Sequence, residues 1–439
     1  MTIKNNNTPE LRFLEFKNDW EVKKFEKVFN IFNGYAFSSS DAIENGILWV
    51  KIADVGIQEM KKDSLSFLPK KYENTHQKFI LKKGDYVVAL TRPILNGKLK
   101  IAQVDDFFNN SLLNQRVGKI ITHNCASFIY SLLQKDELIK AIENNIAGSD
   151  PPNLSPSEIN FISVSIPTLP EQQKIANFLT AVDEKLSQLK KKKSLLEQYK
   201  KGVMQKIFTP SALGYIGLKD ERMIEENEIL SSSNPKNHNL DSLRFKDEDG
   251  KEFPEWEKKT LGEVAEVKRG AASQHLKYVN NENEGIRFLR INDFLSNDAV
   301  FVENTEEMKR YRVKTNDLLI AGTGATAGII FIVPEKFNNL AYSYNVPRIR
   351  TISAYHTYIY YYLKSDIILK QQRQMFVGNA QHFLDTDAMR NFKIICPSLP
   401  EQIKIASFLS AIDEKINHCS KQIEKKENWK KGLLQKMFV

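Results

Sequence analysis

The sequence predicts a mixed α/β protein made of two related halves, in which each half is a globular domain followed by a long helix. Three observations support this prediction. A segment of 40 residues occurs twice, both copies show helical periodicity, and short β-branched runs fill the stretches before them. With 439 residues and 41% hydrophobic side chains, the chain is long and apolar enough for domains that each bury a core.

The repeat relates residues 169–208 to residues 399–438. The two segments align without a gap at a constant offset of 230, and 21 of the 40 positions are identical. Shared helical composition does not produce that degree of identity, so we interpret the repeat as an internal duplication. A weaker match precedes each copy, since the tripeptide LRF and a tryptophan recur at residues 11–13 and 20 and at residues 243–245 and 256. The duplication predicts a pseudo-two-fold relation between the halves.

Each repeated segment is predicted to be one long helix. Pro170 and Pro400 suit the first helical turn, where no backbone N–H is needed, and Glu171 and Glu401 then lie at the positive end of the helix dipole. A helix of about 60 Å with one apolar stripe needs a partner, so the two copies are expected to pair as an antiparallel coiled coil. The predicted interface residues of this pair are Ile175, Leu179, Val182, Leu186, Leu189, Ile405, Leu409, Ile412, Ile416 and Ile423.

The repeat also sets the predicted domain boundaries. We predict a first globular domain at residues 1–168, a first helix at 169–208, a linker at 209–240, a second globular domain at 241–398 and a second helix at 399–439. The linker is assigned because its residues are polar and turn-forming and show no sustained period. In the globular domains, β-branched runs between turn signals predict twisted sheets, and segments with a helical period are expected to pack against them.

The composition excludes several classes of protein. The longest apolar runs have about five residues, far fewer than the roughly 18 that a membrane-spanning helix needs. The first residues also lack a secretory pattern, so we expect no membrane contact and a cytoplasmic location. Three scattered cysteines and seven dispersed histidines predict neither a disulfide framework nor a metal site.

Two stretches are similar to known motifs of enzymes, but each differs from its motif at a position that the chemistry needs. The glycine-rich stretch at residues 321–328 differs in spacing from a phosphate-binding loop, and a predicted strand follows it where a helix would be needed. Residues 150–153, Asp-Pro-Pro-Asn, are similar to a motif of amino-group methyltransferases, but an asparagine replaces the aromatic residue that stacks on the base. A tight loop and a proline-stiffened turn are therefore favoured, and the chain is expected to be no enzyme.

Polar and basic residues cluster in turn-like stretches at matching places in both halves. Arginine and lysine bind guanine edges and phosphates, whereas asparagine and glutamine bind adenine edges. Any one of these residues could be ordinary surface, and their repetition favours a shared role. The predicted DNA-binding residues are Thr91, Arg92, Asn96, Lys98, Lys100, Asn114, Gln115, Arg116, Lys268, Arg269, Gln274, His275, Thr323, Asn345, Arg348, Gln381 and His382.

The repeated segment LPEQxKIAxFLxAxDEK, which ends in KKGxxQKxF and follows a variable domain in each half, resembles the specificity subunit of type I restriction-modification enzymes. The resemblance covers essentially the whole chain. It implies two target recognition domains, each recognising one part of a bipartite, asymmetric site in double-stranded DNA. It also implies that the helices set the spacer between the half-sites and dock two methyltransferase subunits, and the ten apolar residues of the helix pair are predicted to belong to this partner-subunit interface as well.

The same resemblance assigns the chemistry to partner proteins. Adenine-N6 methylation and ATP-dependent DNA cleavage are expected on methyltransferase and restriction subunits, the latter joining through the complex. S-adenosylmethionine, ATP and Mg are then expected on those subunits, with no cofactor bound by this chain.

Three alternatives stay open. The chain could serve a modification-only system, which lacks a nuclease. It could be a nucleic-acid-binding adaptor or scaffold unrelated to methylation, in which case it would not co-purify with a methyltransferase. It could also be an enzyme whose site the motifs do not reveal, and turnover by the isolated chain would establish that.

Overall fold

The computed structural model of the chain describes residues 8–146, 151–216, 243–295, 299–376 and 384–439. Two compact units are formed, the first by residues up to Lys191 together with Ser420–Val439 and the second by Lys192–Cys419. The division falls inside both long helices. Each unit therefore holds one globular domain, the beginning of the helix that follows it and the end of the other helix. Within the described ranges, none of the helices is both long and apolar enough to cross a membrane.

Short strands form the frame of the first unit. They are β1 (Glu21–Lys24), β2 (Asn30–Asn33), β3 (Ile47–Val50), β4 (Phe67–Leu68), β5 (Tyr86–Ala89), β6 (Ile94–Leu95), β7 (Lys98–Leu99), β8 (Ile101–Gln103), β9 (Leu112–Leu113), β10 (Val117–Ile121) and β11 (Ser163–Ile166). An antiparallel sheet has the order β2-β10-β5-β8, and a smaller sheet has the order β4-β3-β9, in which β3 and β9 are parallel. Strand β1 pairs with β11, and β6 forms a hairpin with β7.

The second unit repeats this frame. Its strands are β12 (Glu257–Thr260), β13 (Ala265–Lys268), β14 (Tyr278–Val279), β15 (Ile286–Leu289), β16 (Phe301–Val302), β17 (Leu318–Ile320), β18 (Ile330–Ile332), β19 (Ala341–Tyr342), β20 (Arg348–Thr351) and β21 (Lys393–Cys396). The order β13-β20-β17-β18 corresponds to the antiparallel sheet of the first unit, and β12 with β21 corresponds to β1 with β11. The predicted internal repeat and mixed α/β class are thus confirmed.

Most of the described helices are short. They are α1 (Lys71–Thr75), α2 (Ala126–Leu132), α3 (Asp136–Ile146), α4 (Pro156–Ile159), α5 (Leu169–Ile216), α6 (Leu261–Val264), α7 (Asn292–Leu295), α8 (His356–Leu363), α9 (Asp366–Phe376), α10 (Thr386–Arg390) and α11 (Leu399–Met437). Helices α5 and α11 are the predicted long helices. Helix α5 continues past the predicted end at Phe208 to Ile216, so the first part of the segment assigned as a linker is helical.

The two long helices pack antiparallel in each unit. In the first unit, Asp183 and Lys190 of α5 form ion pairs with Lys430 and Glu427 of α11, so the two sequences run in opposite directions. In the second unit, Val203 and Ile207 share a core with Ile405, Leu409 and Ile412. Of the predicted seam, Leu189, Ile416 and Ile423 are half-buried, and the remaining members are buried.

The end of each repeat packs into the globular domain that precedes the other copy. Phe438, at the end of α11, contacts Trp20 and Phe128 in the core of the first unit, with ring centroids 6.4 and 5.3 Å apart. In the second unit, Phe208 contacts Tyr362 with a centroid distance of 5.2 Å. Buried aromatic pairs of this kind are among the strongest apolar contacts in a core. The repeated motif KKGxxQKxF therefore ends on a core residue.

The repeated tetrapeptide LPEQ joins each long helix to its globular domain. Glu171 is 1% exposed, and its carboxylate accepts hydrogen bonds from Arg12 Nε and Nη2, at 2.7 and 2.8 Å, and from Trp20 Nε1, at 3.2 Å. Glu401 is bound in the same way by Arg244 and Trp256. The LRF and tryptophan matches thus have a physical cause, because their side chains satisfy the buried glutamate. This buried contact adds to the predicted role of Glu171 and Glu401 at the helix dipole.

Candidate nucleic-acid interface

Six of the eight predicted DNA-binding residues of the first unit lie at one edge of its antiparallel sheet, and they are Thr91, Arg92, Lys100, Asn114, Gln115 and Arg116. Strands β2 and β5 end at this edge and β10 begins there, because Asn33 pairs with Gly118 and Ala89 pairs with Val117. The loops that leave these strands are held together by backbone hydrogen bonds. Leu90 N–H donates to Arg116 O at 2.9 Å, which places Thr91 and Arg92 beside Asn114, Gln115 and Arg116. Arg92, Gln115 and Arg116 are exposed.

The backbone of Arg92 is held in the left-handed region, with φ at 47°. This conformation is energetically unfavourable for a residue other than glycine, and residues that adopt it concentrate at functional sites. Residues 151–153 hold it in place, since Arg92 N–H donates to Pro152 O at 2.8 Å and Thr91 Oγ1 donates to Asn153 Oδ1 at 2.7 Å. The proline-rich motif therefore supports an arginine loop.

Lys100 lies at the same edge and contributes a further positive charge. Ala89 N–H donates to Lys100 O at 3.0 Å, and Lys100 and Arg92 line one groove. Burial lowers the pKa of Lys100, and the positive charges of Lys61 and Arg92 lower it further. Positive groups crowded in this way form a local field that attracts phosphate.

Two predicted residues of the first unit have other roles in the structure. Asn96 and Gly97 form the turn between β6 and β7, with φ at 51° and 68°, as a two-residue hairpin turn requires. Lys98 Nζ donates to Asp136 Oδ1 at 2.7 Å, so its charge is paired within the unit. Asn96 is exposed at the tip of this turn and the side chain of Lys98 is 42% exposed, so the assignment of both residues as DNA contacts stays a prediction.

The second unit presents the corresponding edge of its sheet. Strand β13 ends where β20 begins, since Lys268 pairs with Arg348, and β17 ends beside them. Gly322 N–H donates to Asn345 O at 2.8 Å, which places Thr323 near the exposed Asn345. Lys268 and Gln274 are exposed at or after the end of β13. Gln381, His382 and the side chain of His275 lie outside the described residues.

Arg269 has a defined position at this edge. Its guanidinium lies 4.6 Å from the ring centroid of Tyr344, and its Nη2 donates to Leu384 O at 3.0 Å. Tyr344 itself is 40% exposed. The side chain of Arg269 is 13% exposed, and its Nη2 also lies 3.8 Å from Asp385 Oδ1. These contacts hold the guanidinium in one orientation, and its role in binding DNA stays a prediction.

The structure corrects the prediction that Arg348 binds DNA. It is 4% exposed and forms ion pairs with Glu266 and Asp317, and its Nη1 donates to Arg312 O at 3.1 Å. A buried arginine with two acidic partners supports the sheet and is not available to a ligand. Lys119 has the equivalent role in the first unit, where its Nζ lies 2.7 Å from Asp85.

Comparison with known proteins identifies the family of the two globular domains that contain these sheet edges. The profile of the type I restriction modification DNA specificity domain matches residues 17–198 and again residues 254–426. The chain belongs to this family. The predicted family and the two target recognition domains are thereby confirmed, and each specificity domain corresponds to one half of the duplication.

Two relatives from this family align with the chain over different fractions of its length. The MjaIX specificity subunit of Methanocaldococcus jannaschii is 24% identical over 440 aligned positions, which cover 95% of this chain and 92% of that protein. The MjaVIII specificity subunit of the same organism is 34% identical over 198 residues, and the match spans about half of its length, 47%. The crystal structure of the S subunit from M. genitalium has a TM-score of 0.60 at 16% identity and covers 98% of this chain and 99% of that chain, so the fold is shared.

Sequence reasoning missed three groups at these specificity domains. Tyr35 and Tyr344 are exposed at the two sheet edges, and Asn153 binds Thr91. A basic groove in the second unit, at the opposite end of β17, is lined by Lys309, Arg310, Arg312 and Lys314. The density of basic residues at 309–314 was a signal for this groove, whereas the tyrosines have no local pattern that distinguishes them from core residues.

Proposed function

We propose that each unit binds one part of a bipartite, asymmetric site in double-stranded DNA, as the recognition subunit of a type I restriction-modification complex. One observation carries this proposal. The same sheet edge occurs in both units, but it presents different side chains, with Gln115 and Arg116 in the first and Tyr344 and Asn345 in the second. A duplicated frame with different contact residues would bind two different base sequences.

We further propose that the chain supplies recognition and no catalysis. Adenine-N6 methylation and ATP-dependent cleavage would belong to methyltransferase and restriction subunits, which would hold S-adenosylmethionine, ATP and Mg. The helices α5 and α11, each of which contributes to both units, would set the spacer between the half-sites.

The test of this function is a map of methylated adenines in the host genome with and without the gene. We expect a two-part motif with a fixed gap to lose its methylation on deletion. Return of the motif on complementation would tie it to this chain. An unchanged methylation pattern in a host that expresses both the gene and its methyltransferase would refute the proposal.

Replacing Arg116 with alanine is expected to relax the first half-site only. If its guanidinium contacts a guanine O6 and N7, the loss at that base pair is about 1 to 3 kcal/mol. Competition binding of the assembled complex against every single-base variant of the site measures this effect. Asn345→Ala is the matched control and should alter the second half-site alone. An equal loss on all sequences would instead identify a phosphate contact.

Aromatic side chains at repeated positions pack together in each unit, as a row of three rings in the first unit and as a pair in the second. In the first unit, Phe178 lies between Phe13 and Trp429, with centroid distances of 6.1 Å to each ring. In the second, Phe408 packs against Phe245 at 5.6 Å. Trp429 is 46% exposed, and Tyr199, at the equivalent repeat position, is 53% exposed. Large exposed aromatic residues mark interaction surfaces.

An exposed aromatic residue at the equivalent repeat position of both units supports the proposal that two copies of one partner, the methyltransferase subunit, dock there. Trp429→Ala and Tyr199→Ala are each expected to reduce the complex from two bound methyltransferase subunits to one, because truncating an aromatic anchor costs about 2 kcal/mol or more. Native mass spectrometry measures the stoichiometry. Lys425→Ala, on an exposed part of the same helix, is the control. Two bound subunits in the double variant would exclude this surface.

A further inference from the structure

Tyr35 is fixed at the sheet edge of the first unit by its backbone. Tyr35 N–H donates to Leu113 O at 2.9 Å, and Gln115 N–H donates to Tyr35 O at 3.0 Å. The preceding residue must be glycine, because a Cβ atom on Gly34 would lie 2.2 Å from Leu113 O. The ring of Tyr35 is thus attached directly beside Gln115 and Arg116.

The ring of Tyr35 rests on a layer of other aromatic rings. Its centroid lies 4.5 Å from His76, 4.9 Å from Phe37 and 5.4 Å from Phe79. Phe37 and Phe79 are each 8% exposed, whereas Tyr35 is 43% exposed. The ring is therefore supported from below and open to solvent above. Little side-chain entropy remains to be lost when it binds a ligand, which favours a specific contact.

The second unit lacks this ring at the equivalent place. Gly270 makes the same close approach, since its Cβ atom would lie 2.1 Å from Tyr342 O. The residue after it is Ala271, which is 1% exposed. Ala271 forms the same two backbone hydrogen bonds, to Tyr342 O and from Tyr344 N–H, each at 2.9 Å. The second unit has the same backbone arrangement without an aromatic ring. The ring of Tyr35 is therefore not needed to form this edge of the sheet.

We propose that Tyr35 is a specificity-determining residue that contacts the C5-methyl group of a thymine in the first half-site. The thymine methyl is the apolar group on the major-groove edge of the base pairs, and apolar side chains contact it. The neighbouring Gln115 and Arg116 supply hydrogen-bonding groups for the adjoining bases. This inference rests on the proposed DNA-binding function and adds the base type that one residue selects.

The test replaces each thymine of the first half-site by uracil, one at a time, which removes only the methyl group. With the complete complex, we expect one uracil position to weaken binding about fourfold, because a buried methyl group contributes about as much as one methylene. In Tyr35→Ala the same uracil should cause no further loss, whereas Tyr35→Phe, which keeps the ring, should retain the sensitivity. Binding to the second half-site should be unchanged in both variants and serves as the control for folding.

The outcomes separate this inference from the proposed function. If the complex binds the bipartite site but no uracil position depends on Tyr35, or if the first half-site contains no thymine, the tyrosine contact is wrong and the function stands. If Tyr35→Ala weakens all sequences equally, the ring makes a non-specific contact and the inference is again wrong. If the complex binds no bipartite site, both are overturned.

Discussion

Glu171→Ala is expected to lower the free energy of unfolding of the first unit by about 3 to 5 kcal/mol, which is the typical cost of breaking a buried ion pair. The carboxylate of Glu171 is buried and holds Arg12, whose side chain is 14% exposed, together with the indole of Trp20. Alanine would leave the guanidinium without its counter-charge and the indole N–H without its acceptor. Glu171→Gln keeps the shape and one acceptor, so a smaller loss is expected.

Hydrogen exchange measured by mass spectrometry locates this effect. Peptides of the first unit should lose protection in Glu171→Ala, and peptides of the second unit should lose it in Glu401→Ala, whose carboxylate has the equivalent partners. Glu184→Ala is the matched control, because Glu184 is an exposed residue of the same helix and surface substitutions usually change stability by less than about 0.5 kcal/mol. Equal protection in wild type and Glu171→Ala would show that the buried pair contributes nothing net.

Lys430→Met is expected to destabilise the first unit by about 2 to 4 kcal/mol. Lys430 is 5% exposed, and its Nζ lies 2.6 Å from Asp183, 2.7 Å from Gln134 and 3.1 Å from Gln58. Methionine keeps the length of the side chain but leaves these three acceptors without their cation. The loss should fall short of the full cost for a fully buried pair, since the side chain of Asp183 as a whole is 26% exposed.

A double-mutant cycle separates the ion pair from simple packing. Because an apolar pair can replace a buried ion pair at little cost, Lys430→Met with Asp183→Leu should recover part of the stability lost in Lys430→Met alone. Chemical denaturation followed by circular dichroism measures all four members of the cycle, and Lys425→Met is the exposed control. A strictly additive double variant would mean that the two residues are not coupled.

The second unit contains an ion pair, between Lys200 and Asp413, that is equivalent to the pair between Lys430 and Asp183. Lys200 Nζ donates to both carboxylate oxygens of Asp413 at 2.6 Å, and Tyr361 OH donates to the same carboxylate at 2.8 Å. Burial lowers the pKa of Lys200 and of Lys430. In each unit the lysine comes from one copy of the repeat and the aspartate from the other. The pairs therefore fix the register of the antiparallel helices within each unit.

The amino-acid sequence by itself determined the long helices, the duplication and the family. Periodicity, turn chemistry and repeat identity are properties of neighbouring residues, so the starts of α5 and α11 at the LPEQ tetrapeptides could be predicted. The sequence grouped Arg92, Gln115 and Arg116 only because each lies in a polar, turn-like stretch. It did not predict that they lie close together. Their position at one sheet edge follows from the strand order, which the local pattern does not contain.

The tertiary structure decided which charged side chains are free. Arg348 and Arg116 both follow polar turns in the sequence, yet the first is buried between Glu266 and Asp317 and the second is exposed. Lys430 fell outside the predicted apolar seam and is buried because Asp183, from the other copy of the repeat, lies opposite it. The environment of a charged group depends on segments that are distant in the chain, and these meet only when the fold forms.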